Sequence, residues 1–402
     1  MSAGRFWGLG LGYSLELGHW ALVIYPPRLS LSVLIAPDKF KGTLTAPQAA
    51  KAIARGWTTA RPEDTLTQLP ISDGGDGFGA LMAGALRADP LTVQTQDASH
   101  APTTAPCWNV YNSGTAIIES ANILGLAMLP AEKRRPLALD SRGLGIVLRN
   151  ENFADCRQQI IGIGGSATND GGFGMAQELG WSFENAQGEP ICAWVDLVDL
   201  QKIHPPETEL PCEIIVAVDV QNPLLGPNGC TRVFGSQKGL RDEDIPRAEA
   251  ALARLAEVWE AQTGEDAASL PGAGAAGGLG FGLHCYAEAE IRSGFEIFAE
   301  AAGLDALLRE ADVVVTGEGA MDRQTIMGKG VGELAKRARA NGCRSFGLAG
   351  MIEDRPTLAK HLDDCRALTD LTTPAEAEAD AARWLEKLAR ETALGLTGIE
   401  LA

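Results

Sequence analysis

Leu31-Ser-Val-Leu-Ile-Ala-Pro-Asp-Lys-Phe-Lys-Gly-Thr-Leu-Thr-Ala-Pro-Gln48 is the stretch on which the fold turns. Its first six residues form a short apolar run stopped by Pro37, as in a buried strand. Asp38 to Gly42 then reads as a polar loop. Thr45 with Gln48 three residues on makes a capping box, and Pro47 falls in the first turn, so a helix starts there. Ala50, Ile53, Ala54 and Trp57 follow at helical spacing and give it one apolar stripe. The unit is strand, charged loop, amphipathic helix.

That unit recurs. Leu66 to Leu69 leads into Ser72-Asp-Gly-Gly-Asp-Gly77 and a helix from Phe78 to Leu86. Gln159 to Ile163 leads into Gly164-Gly-Ser-Ala-Thr-Asn-Asp-Gly-Gly172 and a helix to about Leu179. Ile214 to Val218 ends in Asp219. Val313 to Val315 ends in Thr316-Gly-Glu-Gly319, with Asp322 beyond and a helix from about Val331 to Ala340. Ser345 to Leu348 is a further strand, stopped by Gly350. Strands alternating with helices predict parallel sheet covered by helices, an α/β fold. In such sheets the loops at strand carboxyl ends line the ligand crevice. Here five of those loops carry Asp, Glu, Asn, Lys or Gly.

The 402 residues suit two domains. Asp97 to Pro106 reads as a crossing into a second lobe and Pro271 to Gly282 as the return. The expected organisation is an extension over 1–30, an outer discontinuous domain from 31–96 and 283–402, and an inserted domain over 97–282. A net charge of −18 disfavours nucleic acid as a partner. The eight cysteines contain no CxxC pair, which argues against zinc and for reduced thiols in a cytoplasmic enzyme. No run is long and apolar enough to span a bilayer, so no membrane partner is expected.

Gly162-Ile-Gly-Gly-Ser-Ala167 fits the dinucleotide fingerprint after a strand. Thr168-Asn-Asp170 and two more glycines stand where the packed helix of that motif begins. A phosphate-cradling loop, a dinucleotide site and a plain tight turn all remain open. Gly272-Ala-Gly-Ala-Ala-Gly277 has no strand before it and reads as a joint, close packing or a nucleotide-facing loop. No Walker A sequence is present. Asp73 and Asp76 put two carboxylates in one glycine-rich loop, a donor set for Mg2+ with phosphate oxygens and water; Asp76 alone also suits a helix cap. Asp219 and Glu318 end apolar strands, where an unpaired carboxylate is expensive to bury.

Seven motifs, among them Ile35-Ala-Pro-Asp-Lys-Phe-Lys-Gly42, Ser72 to Gly77, Ile161 to Gly172, Phe234-Gly-Ser-Gln-Lys-Gly239 and Thr316-Gly-Glu-Gly319, resemble the bacterial glycerate kinases of the first class, in order from about Leu31 to Gly350. The resemblance implies an ATP- and Mg2+-dependent kinase of D-glycerate, with 2-phosphoglycerate rather than 3-phosphoglycerate as product. It implies a flavodoxin-like and a restriction-enzyme-like lobe with the site between them. That family usually shows Gly-Glu-Gly-Arg before the later aspartate, whereas here Ala320 stands in place of the arginine and Ala320 and Met321 precede Asp322; the chain after Gly350 reads as divergent.

The roles of side chains come from their chemistry. Backbone N–H groups around Gly164, Gly165 and Ser166 are expected to hold ATP phosphates, with Thr168, Asn169, Asp170 and Glu318 in the same site. Asp73 and Asp219 are the expected Mg2+ ligands, and either is a candidate to accept the attacking hydroxyl's proton. Lys39 or Lys41 offsets charge on the γ-phosphoryl group. Arg142 or Lys329 holds the glycerate carboxylate, with Asp38 beside the substrate. The rival reading is an NAD(P)-dependent hydroxy-acid dehydrogenase. A homodimer is compatible with the sequence.

Overall fold

The computed structural model describes residues 16–17, 20–21, 30–40, 42–208, 210–326 and 330–396. Two open sheets dominate. The first has five parallel strands in the order Thr65–Gln68, Ser32–Ile35, Val313–Met321, Arg344–Ile352, Asp364–Ala367. Counted along the chain this is 2-1-3-4-5, the flavodoxin-like winding, whose strand order reverses between the first and third strands. The second sheet has six strands: Glu290–Ser293, Glu213–Val218, Gln158–Gly162 and Thr115–Glu119 are parallel, then Pro102–Val110 and Asp89–Gln96 close the edge antiparallel.

Alternation along the strands explains how the sheets stack, because successive side chains leave opposite faces. Val33, Ile35, Val313 and Val315 face an outer core with Trp57 and Leu385, supplied by the helices Ala46–Ala60 and Ala381–Leu394. Leu34 and Val314 face the other way, into a core shared with Ile117, Ile160, Ile215 and Ala217 of the six-stranded sheet. Helices Phe78–Leu86, Gly294–Ala301, Leu304–Glu310 and Gly330–Ala340 fill that middle layer. Ile118, Ile161 and Val216 turn to a third core, closed by helices such as Arg142–Leu148 and Ile245–Thr263. One apolar layer thus belongs to both sheets and fixes one against the other.

The predicted capping box is formed, with Gln48 N donating to Thr45 Oγ1 and Thr45 N to Gln48 Oε1. Two strands run further than their apolar runs suggest. Glu318 pairs with Ala349 inside a strand that reaches Met321, and Arg344–Ile352 continues through Gly350. The stretch read as a crossing, Asp97 to Pro106, is a turn and the start of a strand paired on both sides. Strands Asp89–Gln96 and Glu290–Ser293 lie in the six-stranded sheet, whereas expectation assigned them to the outer domain. No helix among the described residues is long and apolar enough to cross a membrane.

Candidate active site

Asp38 follows the strand Ser32–Ile35, and its backbone N donates to Gly317 O at 2.8 Å. It therefore sits beside the strand order reversal, where open α/β sheets leave a crevice. Glu318 is on the neighbouring strand, and the Asp73 loop leaves the strand on the other side. The Asp38 carboxyl is 9% exposed, and its pKa is pushed up to about 7. Burial is the main cause, followed by the charge of Asp73 and, less, Glu318; Lys39 opposes them. Asp73, Glu318 and Lys39 are thus each near enough to Asp38 to act on its charge.

The Ser72–Gly77 loop then crosses to the carboxyl end of the six-stranded sheet. A methyl group built on Gly75 would stand 2.7 Å from Lys39 Nζ, 3.2 Å from Asp73 Oδ1 and 3.8 Å from Asp219 Oδ2. Those three charged groups surround one point. Gly164 N donates to Gly74 O at 3.3 Å, and a methyl on Gly164 would stand 2.6 Å from Gly75 Cα. Gly165 is exposed, in the left-handed region at φ 76°, next to Asp76. The turns at Asp38, Asp73, Gly165, Asp219 and Glu318 meet between the sheets.

Other expected residues are placed differently. Arg142 donates to Glu178 Oε1 at 3.1 Å and Gln177 Oε1 at 2.6 Å, so its guanidinium is engaged on the helix Phe173–Glu178. Thr168, Asn169 and Asp170 are fully buried. Asn169 donates to Thr231 Oγ1 at 3.0 Å. Asp170 accepts from Ser141 N at 2.8 Å, from Ser141 Oγ at 2.7 Å and from Gly174 N at 3.0 Å. Its carboxylate thereby takes the place at this helix start that an anionic ligand would otherwise fill. Ser166 Oγ lies 2.9 Å from Thr168 Oγ1 and is also buried. The second glycine run packs on this loop, since a methyl on Gly277 would stand 2.0 Å from Thr168 O. Lys41 and Lys329 lie outside the described residues.

Two residues that sequence reasoning passed over stand out. Glu119, at the end of its strand, accepts from Gly77 N at 2.5 Å and Gly79 N at 3.1 Å, anchoring the acidic loop. Its signal was a carboxylate ending the apolar run Ala116-Ile-Ile118. Lys238 is buried and donates to Thr168 O at 2.6 Å. Burial pulls its pKa down to about 8, against the opposing pull of Cys230 and Asp170.

The Lys238 shift carries a prediction. The unfolded chain keeps this proton up to about 10.5, so between about pH 8 and 10.5 the unfolded state binds more protons. The cost of burying the ammonium is therefore fully present below about pH 8 and is relieved as pH rises through that window. Denaturant unfolding across the window should show the parent gaining stability relative to Lys238→Met as the pH rises. A difference independent of pH would mean that the folded protein keeps the ammonium charged throughout the window, without the cost that its burial implies.

Acids, a lysine and glycine turns gathered between two α/β sheets mark the candidate active site of an α/β enzyme. The chain belongs to the glycerate kinase family, whose model matches residues 33–396. It is 38% identical over 342 residues to the glycerate 2-kinase of Escherichia coli (strain K12), covering 81% of this chain and 86% of that protein. It is 34% identical over 375 residues to a glycerate kinase of Bacillus subtilis (strain 168), covering 91% and 98%. The crystal structure assigned to glycerate kinase 2 of Salmonella typhimurium LT2 matches with a TM-score of 0.76 at 35% identity, over 92% of this chain and 98% of that one. The family match continues past Gly350, where the sequence read as divergent. The dehydrogenase reading finds no support. The loop after Gly162 runs ten residues before its helix begins at Phe173, too far for that helix to hold a pyrophosphate in the fingerprint manner.

Proposed function

We propose that the chain, a glycerate kinase by family, transfers the γ-phosphoryl group of ATP to the 2-hydroxyl of D-glycerate at the Gly75 cluster. The observation that carries this is the gathering of Lys39, Asp73 and Asp219 around Gly75, beside Asp38. Phosphoryl transfer needs positioning and charge neutralisation more than covalent chemistry. Lys39 supplies positive charge next to the transferred group. Asp73, which is half-buried and faces both Lys39 and Asp38, accepts the proton of the attacking hydroxyl. The exposed turn at Gly164-Gly165 faces the phosphates.

The donors fit Mg2+. They are hard carboxylate oxygens, and the charge of Asp73, after burial, raises the Asp38 pKa. Among the described residues no three acidic, cysteine or histidine side chains are grouped to hold an ion by themselves. Mg2+ in phosphoryl-transfer sites is taken on one or two carboxylates, with phosphate oxygens and water completing its shell. Asp219 and Asp73 would hold it, and it would neutralise charge between the phosphates. All eight cysteines are free, in keeping with a reducing compartment, and we place the enzyme in the cytoplasm.

The test is purified protein with ATP, MgCl2 and D-glycerate, the product identified by phosphorus and proton NMR. The expected product is 2-phosphoglycerate. Accumulation of 3-phosphoglycerate would overturn the regiochemistry, and absence of any phosphoglycerate would overturn the activity.

A further inference from the structure

We propose that Glu119 is a positioning residue for phosphoryl transfer, holding the Asp76–Gly79 backbone so that Asp73 and Lys39 stand where the reaction needs them. The inference rests on the kinase reading above. Glu119 is 5% exposed and ends a strand of five buried residues, where an uncompensated carboxylate would be strongly unfavourable. The compensation is the acidic loop itself. One oxygen accepts from Gly77 N at 2.5 Å, the other from Gly79 N at 3.1 Å, and Asn122 Nδ2 approaches the second at 3.4 Å.

The helix Phe78–Leu86 needs a cap, because Gly77 before it has no side chain to offer. A Ser or Asp in the local sequence would meet that need. Here the cap comes instead from the last residue of a six-stranded-sheet strand, 42 positions away in the chain. The Ser72–Gly77 loop begins on the five-stranded sheet, so this bond sets its far end in the frame of the other sheet.

The anchor is linked to the reacting groups through short steps. Lys39 Nζ donates to Asp76 O at 3.3 Å, one residue before Gly77. Gly75 N donates to Asp73 Oδ1 at 3.2 Å. The charge of Asp76 raises the Glu119 pKa beyond the larger effect of burial, and Lys39 lowers it, so these groups also feel one another electrostatically. Movement at Gly77 therefore reaches both Lys39 and Asp73.

Glu119→Gln keeps the shape but turns an amide NH2 toward one of the two backbone N–H donors, so that one bond is lost and two donors face each other. Phe78 and Met82 remain buried in the middle core and keep the helix in place. The variant should lose about 10- to 100-fold in kcat, the range seen when groups that orient a site are removed, with KM for ATP and for glycerate changed less than about threefold. A merely structural cap would lower Tm and leave the kcat of the folded protein unchanged. If Glu119→Gln does not fold, Glu119→Asp, which keeps the charge and withdraws it by one methylene, should show the same selective loss. An active parent with a folded variant of parental kcat would overturn the positioning role alone. A parent without turnover would overturn the kinase reading and this role together.

Discussion

Asp73→Asn should lower turnover by roughly 10^2- to 10^4-fold, the usual range for removing a positioned general base, while Tm holds or rises. The two effects share one cause. Burial does most to raise the Asp38 pKa, and the charges of Asp73 and, less, Glu318 add to it. Crowding like charges costs stability in the ligand-free protein and is kept for the reaction, a common trade at active sites. An amide at position 73 removes the repulsion and the base in one step. Steady-state kinetics and a thermal melt on the same preparation check it. Turnover within about tenfold of the parent would remove Asp73 as the base. A large drop in Tm would show that the carboxylate is structural.

Gly164→Ala should cost about 10^2-fold in kcat, since displacements near 1 Å at a reacting centre have that effect. The added methyl would stand 2.6 Å from Gly75 Cα and 3.1 Å from Gly74 O, backbone atoms that cannot swing aside as a flexible side chain can. The two loops must separate, and Gly75 is the point around which Lys39, Asp73 and Asp219 are arranged. The strain should also lower stability by about 1–3 kcal/mol. Gly84→Ala is the matched control. It is exposed near the end of the helix Phe78–Leu86, and a methyl there meets nothing within 4 Å. It should leave activity unchanged and add up to about 1 kcal/mol of stability. Equal effects from the two substitutions would contradict the close approach of the loops.

The parts of the site that the sequence announces are those built by a local rule. Asp38, Asp73, Asp219 and Glu318 each lie at or just past an apolar run, and parallel sheets bring such ends together. Thr45 and Gln48 form their capping box within four residues, so the helix start was legible too. What could not be read depends on partners distant in the chain. Asp170 looks like part of a phosphate loop because it stands among glycines. Its partner Ser141, 29 residues earlier, makes it an internal cap. The backbone donors of Glu119, Gly77 N and Gly79 N, lie 42 and 40 residues earlier, and nothing near Lys238 says that Thr168 O, 70 residues back, will be waiting for it. The strands Asp89–Gln96 and Pro102–Val110 mix Thr, Gln and Pro, which resembles a linker. The edge strand Asp89–Gln96 and its neighbour Pro102–Val110 form the antiparallel end of the sheet, where such a mixture is tolerated and pairing fixes the strands only once the neighbouring strand is in place.

The most direct measurement is a crystal structure of the protein soaked with ADP, Mg2+, aluminium fluoride and D-glycerate, in which the fluoride marks the phosphoryl group in flight. The account predicts this group between the two sheets, in contact with Lys39 and within hydrogen-bonding reach of Asp73 or Asp219. A fluoride bound elsewhere, for instance against Arg142 and the helix Phe173–Glu178, would contradict it.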